Sequence, residues 1–146
     1  MQMRSAFVSL ALVLALPSGA VASESLPCTA IDFSQEFLTN YPNAPAACFE
    51  VRQADNGKKY AHFKAEFVGL SGNEVTGRFK SPTGEALSEI TFAVDPAAKV
   101  LSEGREYKYS ELKPGQMLDV WVPESRYGVT AAPGASEMPI VRRTMP

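Results

Sequence analysis

From Phe49 to Val122 the apolar residues of this chain recur at every second position, in short runs cut by Gly, Pro, Asn and Asp. That period belongs to half-buried strands, whose side chains alternate between two faces. Phe49 and Val51 alternate with Glu50 and Arg52. Ala61, Phe63, Ala65 and Phe67 then share one face, with His62, Lys64 and Glu66 on the other. Further runs follow at Val75 to Phe79, Ile90 to Val94, Val100-Leu101, Tyr107 to Tyr109 and Leu118 to Val122. Ser110 to Lys113 has room for a single helical turn. The punctuation is Asp55-Asn56-Gly57, Ser71-Gly72-Asn73, Ser81-Pro82-Thr83-Gly84, Asp95-Pro96, Glu103-Gly104 and Pro114-Gly115. Short strands so regularly interrupted predict a sandwich or barrel. With few strands available, a small closed antiparallel barrel buries the most apolar surface and leaves the fewest open edges.

The first hairpin is a test of register. A two-residue Asn56-Gly57 turn sets Val51 opposite His62, an apolar face against a polar one. A three-residue bulged loop sets Val51 opposite Phe63 and Phe49 opposite Ala65. Because a one-residue slip flips every side chain, the bulged loop is the expectation.

Ahead of the strands, residues 29–41 repeat apolar side chains at helical spacing: Phe33, Phe37, Leu38 and Tyr41. Asp32 or Ser34 can cap the start, and Pro42 forbids much continuation. A helix this short is not stable alone and must pack on something. Behind the strands, Ala, Pro, Gly and Ser dominate from Ala131 to Pro139, which predicts a flexible tail over 129–146.

Residues 1–22 place a basic start (Met1 to Arg4), an apolar run (Ala6 to Leu16) and Ala20-Val21-Ala22 in the order of a secretory signal peptide. The apolar run is short for a bilayer span, which needs about 20 residues. Cleavage after Ala22 suits the sequence better than an uncleaved anchor or lipidation at Cys28, since Glu24-Ser25-Leu26-Pro27 is a poor lipid box. A periplasmic or secreted protein is expected, with residues 23–45 a helical segment and 46–128 the barrel.

Export changes how the cysteines read. Cys28 and Cys48 are the only two, and an even count outside the cytosol predicts a disulfide between them. No Cys-x-x-Cys pair exists, and His62 is the sole histidine, so neither a redox motif nor a zinc ligand set is indicated. The leader carries one basic residue and no acid, so the mature chain holds 13 basic against 16 acidic side chains, a net charge of −3. Lys58-Lys59 and Arg142-Arg143 are isolated pairs. Neither a nucleic-acid groove nor stable membrane insertion after cleavage is expected.

The stretch from Glu66-Phe67-Val68-Gly69 to Val122-Pro123, through the Thr83-Gly84 turn, Ser102-Glu103-Gly104 and Leu112-Lys113-Pro114-Gly115-Gln116, resembles small extracytoplasmic bacterial β-barrel domains of uncharacterised function. About half the mature chain is covered. The resemblance implies an OB-like or similar barrel and carries over no catalytic or ligand residue.

Residues with chemistry are few. A serine hydrolase needs a base and an orienting acid, but His62 falls on the polar face of a strand and no Gly-x-Ser-x-Gly elbow occurs, so an exposed surface histidine is expected. Glu85 with Glu89, or Glu103 with Glu106, could in principle serve glycoside hydrolysis. Sixteen acids make such pairs unavoidable. Asp55-Asn56-Gly57 lacks the alternating ligands of a calcium loop. No cofactor, metal site or catalytic residue is expected. Trp121 is more informative. Leu118, Val120 and Val122 claim one face of their strand, so Asp119 and Trp121 point to the other. A tryptophan beside an acid suits sugar stacking or partner anchoring, with Tyr107 and Tyr109 as companions. The competing expectation, and the favoured one, is that the helix with Phe33, Phe37 and Tyr41 covers this outer face. The functional expectation is a non-enzymatic binding module of the bacterial envelope, its partner an envelope protein or glycan. A carboxylate-pair hydrolase and a structural accessory of an envelope assembly are the alternatives.

Overall fold

The computed structural model describes residues 24–141; the signal-peptide expectation and the Arg142-Arg143 pair lie outside them. The described chain is mainly antiparallel β. Its strands are β1 (Cys48–Gln53), β2 (Lys59–Ser71), β3 (Glu74–Lys80), β4 (Ala86–Ala93), β5 (Lys99–Ser102), β6 (Arg105–Lys108), β7 (Met117–Pro123), β8 (Gly128–Thr130) and β9 (Glu137–Pro139). Each alternating run of the sequence contributes a strand, although Tyr109 leaves its run to start a 3-10 turn at Tyr109–Glu111, one residue ahead of the helical turn expected over Ser110 to Lys113.

The 13-residue β2 organises the sheet. Along one edge its first part pairs with β1 and the rest with β3; along the other it pairs with β7 from Tyr60↔Pro123 to Glu66↔Met117. The free edge of β7 is shared in turn, Asp119 facing Leu101 of β5 and Trp121 facing Thr130 of β8. The path runs β4-β3-β2-β7-β5-β6, with β8 and β9 branching from β7.

This sheet is not closed into a barrel, which corrects the sequence expectation. The approach to closure is the Phe92↔Ile140 bridge and the bond from Val141 N to Thr91 O at 2.8 Å, just beyond β9. Pro139 has no N–H to extend a ladder there. The other end of the path, β6, has no further strand partner among the described residues and carries Arg105, Glu106 and Lys108 along its edge.

The flexible tail is a second correction, because part of that segment builds β8 and β9. Val129, Met138 and Ile140 are buried in the core, so their apolar surface outweighs the loop-like composition between them.

One face of the sheet carries the core: Val51, Ala61, Phe63, Ala65, Val75, Phe79, Ile90, Phe92, Leu118, Val120 and Val122, all at most 1% exposed. Gly77 lies where a side chain would foul its neighbour, since a Cβ there would stand 3.3 Å from that of Ala65.

The helical segment covers this inner face. Within the predicted 29–41 the α-helix is confined to Gln35–Asn40 (α1), after a 3-10 turn at Cys28–Ala30, and Ala44–Ala47 (α2) adds one turn before β1. The Ser34 hydroxyl accepts from Phe37 N at 3.1 Å, so the cap falls later in the chain than the earliest apolar residue suggests. Phe33 and Phe37 lie 6.0 and 6.2 Å from Phe63, and Tyr41 6.0 Å from Phe79. Cys28 and Cys48 are joined, with Cα atoms 6.1 Å apart. The bridge ties the segment to β1 across 20 residues, a loop whose closure stabilises a fold by about 3 kcal/mol in a chain-entropy treatment.

Candidate functional site

The outer face of β1, β2 and β7 gathers polar and aromatic side chains that the core excludes. Its construction begins at the first hairpin. The observed register is Val51↔Ala61 and Gln53↔Lys59, two residues from the expected pairing of Val51 with Phe63, around a loop of the expected three residues, Asp55, Asn56 and Gly57. Ala54 and Lys58 close it by a backbone bond of 2.8 Å, Asn56 Oδ1 accepts from Lys58 N at 2.9 Å, and Gly57 adopts φ +82. The parity argument survives the correction, since Val51 still faces the core. Phe49 does not face Ala65: a bulge between Cys48 and Glu50 turns it outward, its ring 5.9 Å from His62 and 5.2 Å from Lys64 Nζ.

Register then lines up Glu50, His62, Trp121 and Thr130 across four strands. The His62 and Trp121 rings stack, centroids 4.4 Å apart and planes 18° from parallel. His62 Nε2 is 2.8 Å from Asp119 Oδ1, and Nδ1 is 3.8 Å from Glu50 Oε1. Glu50 is itself fixed, accepting from Arg52 Nε at 2.9 Å and from the Ser25 hydroxyl at 2.7 Å. Arg52 in turn places its guanidinium carbon 5.9 Å from the centre of the Trp121 ring. Burial alone would raise the Glu50 pKa, but the Ser25 and Arg52 contacts outweigh it and hold the carboxyl below its ordinary value.

The exposed-histidine expectation is therefore corrected. The His62 side chain is 15% exposed, with a ring on one side and a carboxylate at each nitrogen. Such an imidazole serves as a structural keystone of the outer face. Trp121 is 8% exposed, so it is not a bare platform, and the helix expected to cover it packs on the opposite face. Strand neighbours bury it instead.

Beside Trp121 lies an open groove of about 500 Å³, lined by Arg52, Gln53, Ala54, Asp55, Asn56, Trp121, Pro133 and Gly134. Its volume falls within the range of about 300–1,000 Å³ usual for small-ligand sites. One wall is the β1–β2 turn, the other the loop between β8 and β9. The two approach closely, with a Cβ on Gly134 standing 3.7 Å from that of Ala54. Lys58 and Arg126 pin the loop by ion pairs to Glu137 at 3.6 and 3.2 Å. A second groove of about 570 Å³, between the end of β4 and the far side of the same loop, is mainly alanine, Val94 and Met138.

Of the residues singled out from sequence, Trp121 and Asp119 meet through His62. Tyr107 and Tyr109 do not join them. Tyr109 is buried in the core, edge-on to Phe92 with ring centroids 5.9 Å apart, and Tyr107 packs against that core. Desolvation pushes the Tyr109 hydroxyl above the usual phenol range, and that hydroxyl has no hydrogen-bond partner among the described residues. Arg52, Gln53, Asn56, Pro133 and Gly134 went unremarked as site residues. Arg52 had a signal, its outward parity on β1, but the loop that faces it comes from a segment whose composition predicts flexibility.

Among the described residues no cluster of three or more His, Cys, Asp or Glu is placed to hold a metal ion, and no helix is long and apolar enough to cross a membrane. Comparison of the chain with protein-family models, with curated proteins and with solved structures gives no match.

Proposed function

We propose that this chain is an exported, non-enzymatic binding module of the bacterial envelope, holding its ligand or partner in the groove beside Trp121. The observation that carries the reading is the groove itself: an open concavity of mixed polar and apolar lining whose aromatic wall is held by His62 stacked on it and Arg52 over the ring. Such preorganisation lowers the ordering cost of binding. The leader-like residues 1–22 and the Cys28–Cys48 bridge support an oxidising, extracytoplasmic setting. The resemblance to small OB-like extracytoplasmic domains is in keeping with that setting.

Catalysis is the weaker reading on positive grounds. Both nitrogens of the His62 imidazole face carboxylates, leaving neither aimed at a substrate. Glu89 and Glu106, from the two acid pairs suggested by sequence, face Arg78 at 3.9 Å and Lys99 at 3.7 Å.

The test is site-specific photo-crosslinking in intact cells. A photoreactive residue replacing Asn56 at the groove should yield a discrete adduct, whereas one replacing Glu85, in the turn before β4, should not. Adducts from position 85 alone, or none from position 56, would overturn the proposal.

A further inference from the structure

We infer that the groove beside Trp121 is a saccharide site, made for a neutral, hydroxyl-bearing ring rather than for an ion; this rests on the binding-module reading above. The argument is an inventory of what the lining residues have left to offer. Arg52 gives its Nε hydrogen to Glu50, Gln53 donates its amide to Gly57 O at 3.0 Å, and Asn56 accepts from Lys58 N. What remains is the terminal guanidinium nitrogens of Arg52 and the amide nitrogen of Asn56 as donors. The carbonyl oxygen of Gln53 and the carboxylate of Asp55 remain as acceptors.

Donors and acceptors are thus mixed along one short wall. A row of sugar hydroxyls, each able to donate and accept, satisfies such a set in full. A simple anion satisfies only half of it and faces Asp55; an ammonium ligand faces Arg52. The lining's formal charges cancel, one cation against one anion. A ligand charge of either sign meets one like charge in this lining, whereas a polyol meets none. The indole supplies the remaining need. His62 stacks on the ring and the Arg52 guanidinium lies over it, so the part that lines the groove is a small apolar remnant of a residue 8% exposed, which can touch the C–H groups of a pyranose beside the Arg52 donors.

Trp121 is the sole tryptophan, so its fluorescence reports on this groove without labelling. The mature full chain is screened on an array of neutral, acidic and basic glycans, and neutral hits are titrated while Trp121 emission is followed. Inorganic phosphate, spermidine and short peptides serve as charged and peptide comparators. The expected result is saturation by a neutral oligosaccharide with a Kd at or below about 1 mM. Its affinity should be nearly independent of salt, because no ligand charge is involved. Asp55→Ala and Arg52→Ala should each weaken it by about tenfold, the scale of one lost charged hydrogen bond, while the thermal midpoint moves by no more than about 4 °C. No neutral glycan bound, saturation by phosphate or peptide alone, or strong salt dependence would overturn the inference. Should the array stay silent while position 56 still crosslinks a protein, the saccharide assignment falls and the binding-module reading stands. If both stay silent, both fall.

Discussion

The two faces of one sheet are built on different physics. The inner face of β1, β2, β3 and β7 is a close-packed apolar layer, with Phe63, Phe79 and Phe37 of α1 sharing non-directional burial. The outer face of β1, β2 and β7 is held by directed contacts: a ring stack, a cation beside an indole, and carboxylates aimed at an imidazole. Burial fixes how much surface is hidden, whereas directed contacts fix where a particular atom points. A fold needs the first. A recognition surface needs the second, and it occurs here on the face with the groove.

Substitutions sharpen that contrast. Phe63→Ala, on the inner face, should cost the most, about 3–5 kcal/mol in denaturant unfolding, since a fully buried ring leaves a cavity. Trp121→Ala removes a larger side chain but should cost less, about 2 kcal/mol, because the neighbouring outer-face groups can recover solvent. Equal or reversed costs would mean that the outer face is a second core. Asp119→Asn should cost about 1 kcal/mol, the scale of one partly buried hydrogen bond, and should sharpen or broaden the His62 resonances in a proton spectrum if the contact orders the ring.

The smallest effect is a pH dependence. The Glu50 carboxyl titrates below its ordinary value in the folded chain, so its contribution is fully present above the unfolded value and is lost as pH falls through the folded one. Glu50→Gln should therefore flatten the acid limb of the stability curve by no more than about 1 kcal/mol after solvent screening. A change confined to neutral or alkaline pH would contradict that assignment.

The inner face was largely legible in the sequence, because alternation is a local signal and each strand carries its own copy of it. Ala61, Phe63, Ala65 and Phe67 announced their shared face without any knowledge of their partners. Closure was not legible. Whether β4 meets the C-terminal segment depends on Ile140 and Val141, far along the chain and next to a proline. The helix was legible as apolar periodicity, but its placement was not: Phe33 and Phe37 needed a surface, and both faces of the sheet offered aromatic partners. The inner face won because it could bury them without stranding Asp119 and Glu50. The groove was the least legible element. Its walls join Gln53–Asn56 to Pro133–Gly134; the hairpin register sets Glu50 opposite His62, and the separate, long-range pairing of β2 with β7 sets His62 opposite Trp121.

Because Trp121 contributes to stability as well as to the groove, its loss cannot separate the two roles cleanly. Arg52 can: its side chain is 42% exposed and it sits on the rim of β1. The most direct measurement is therefore a paired one on Arg52→Ala, recording the thermal midpoint and the crosslinking yield from position 56 in the same preparation. The expected outcome is a midpoint within about 4 °C of the parent, as for a loss of at most about 1 kcal/mol, with the yield of the crosslinked adduct clearly reduced, in line with an affinity about tenfold weaker. A stable variant that still forms the adduct at full yield would contradict a binding role for the outer face.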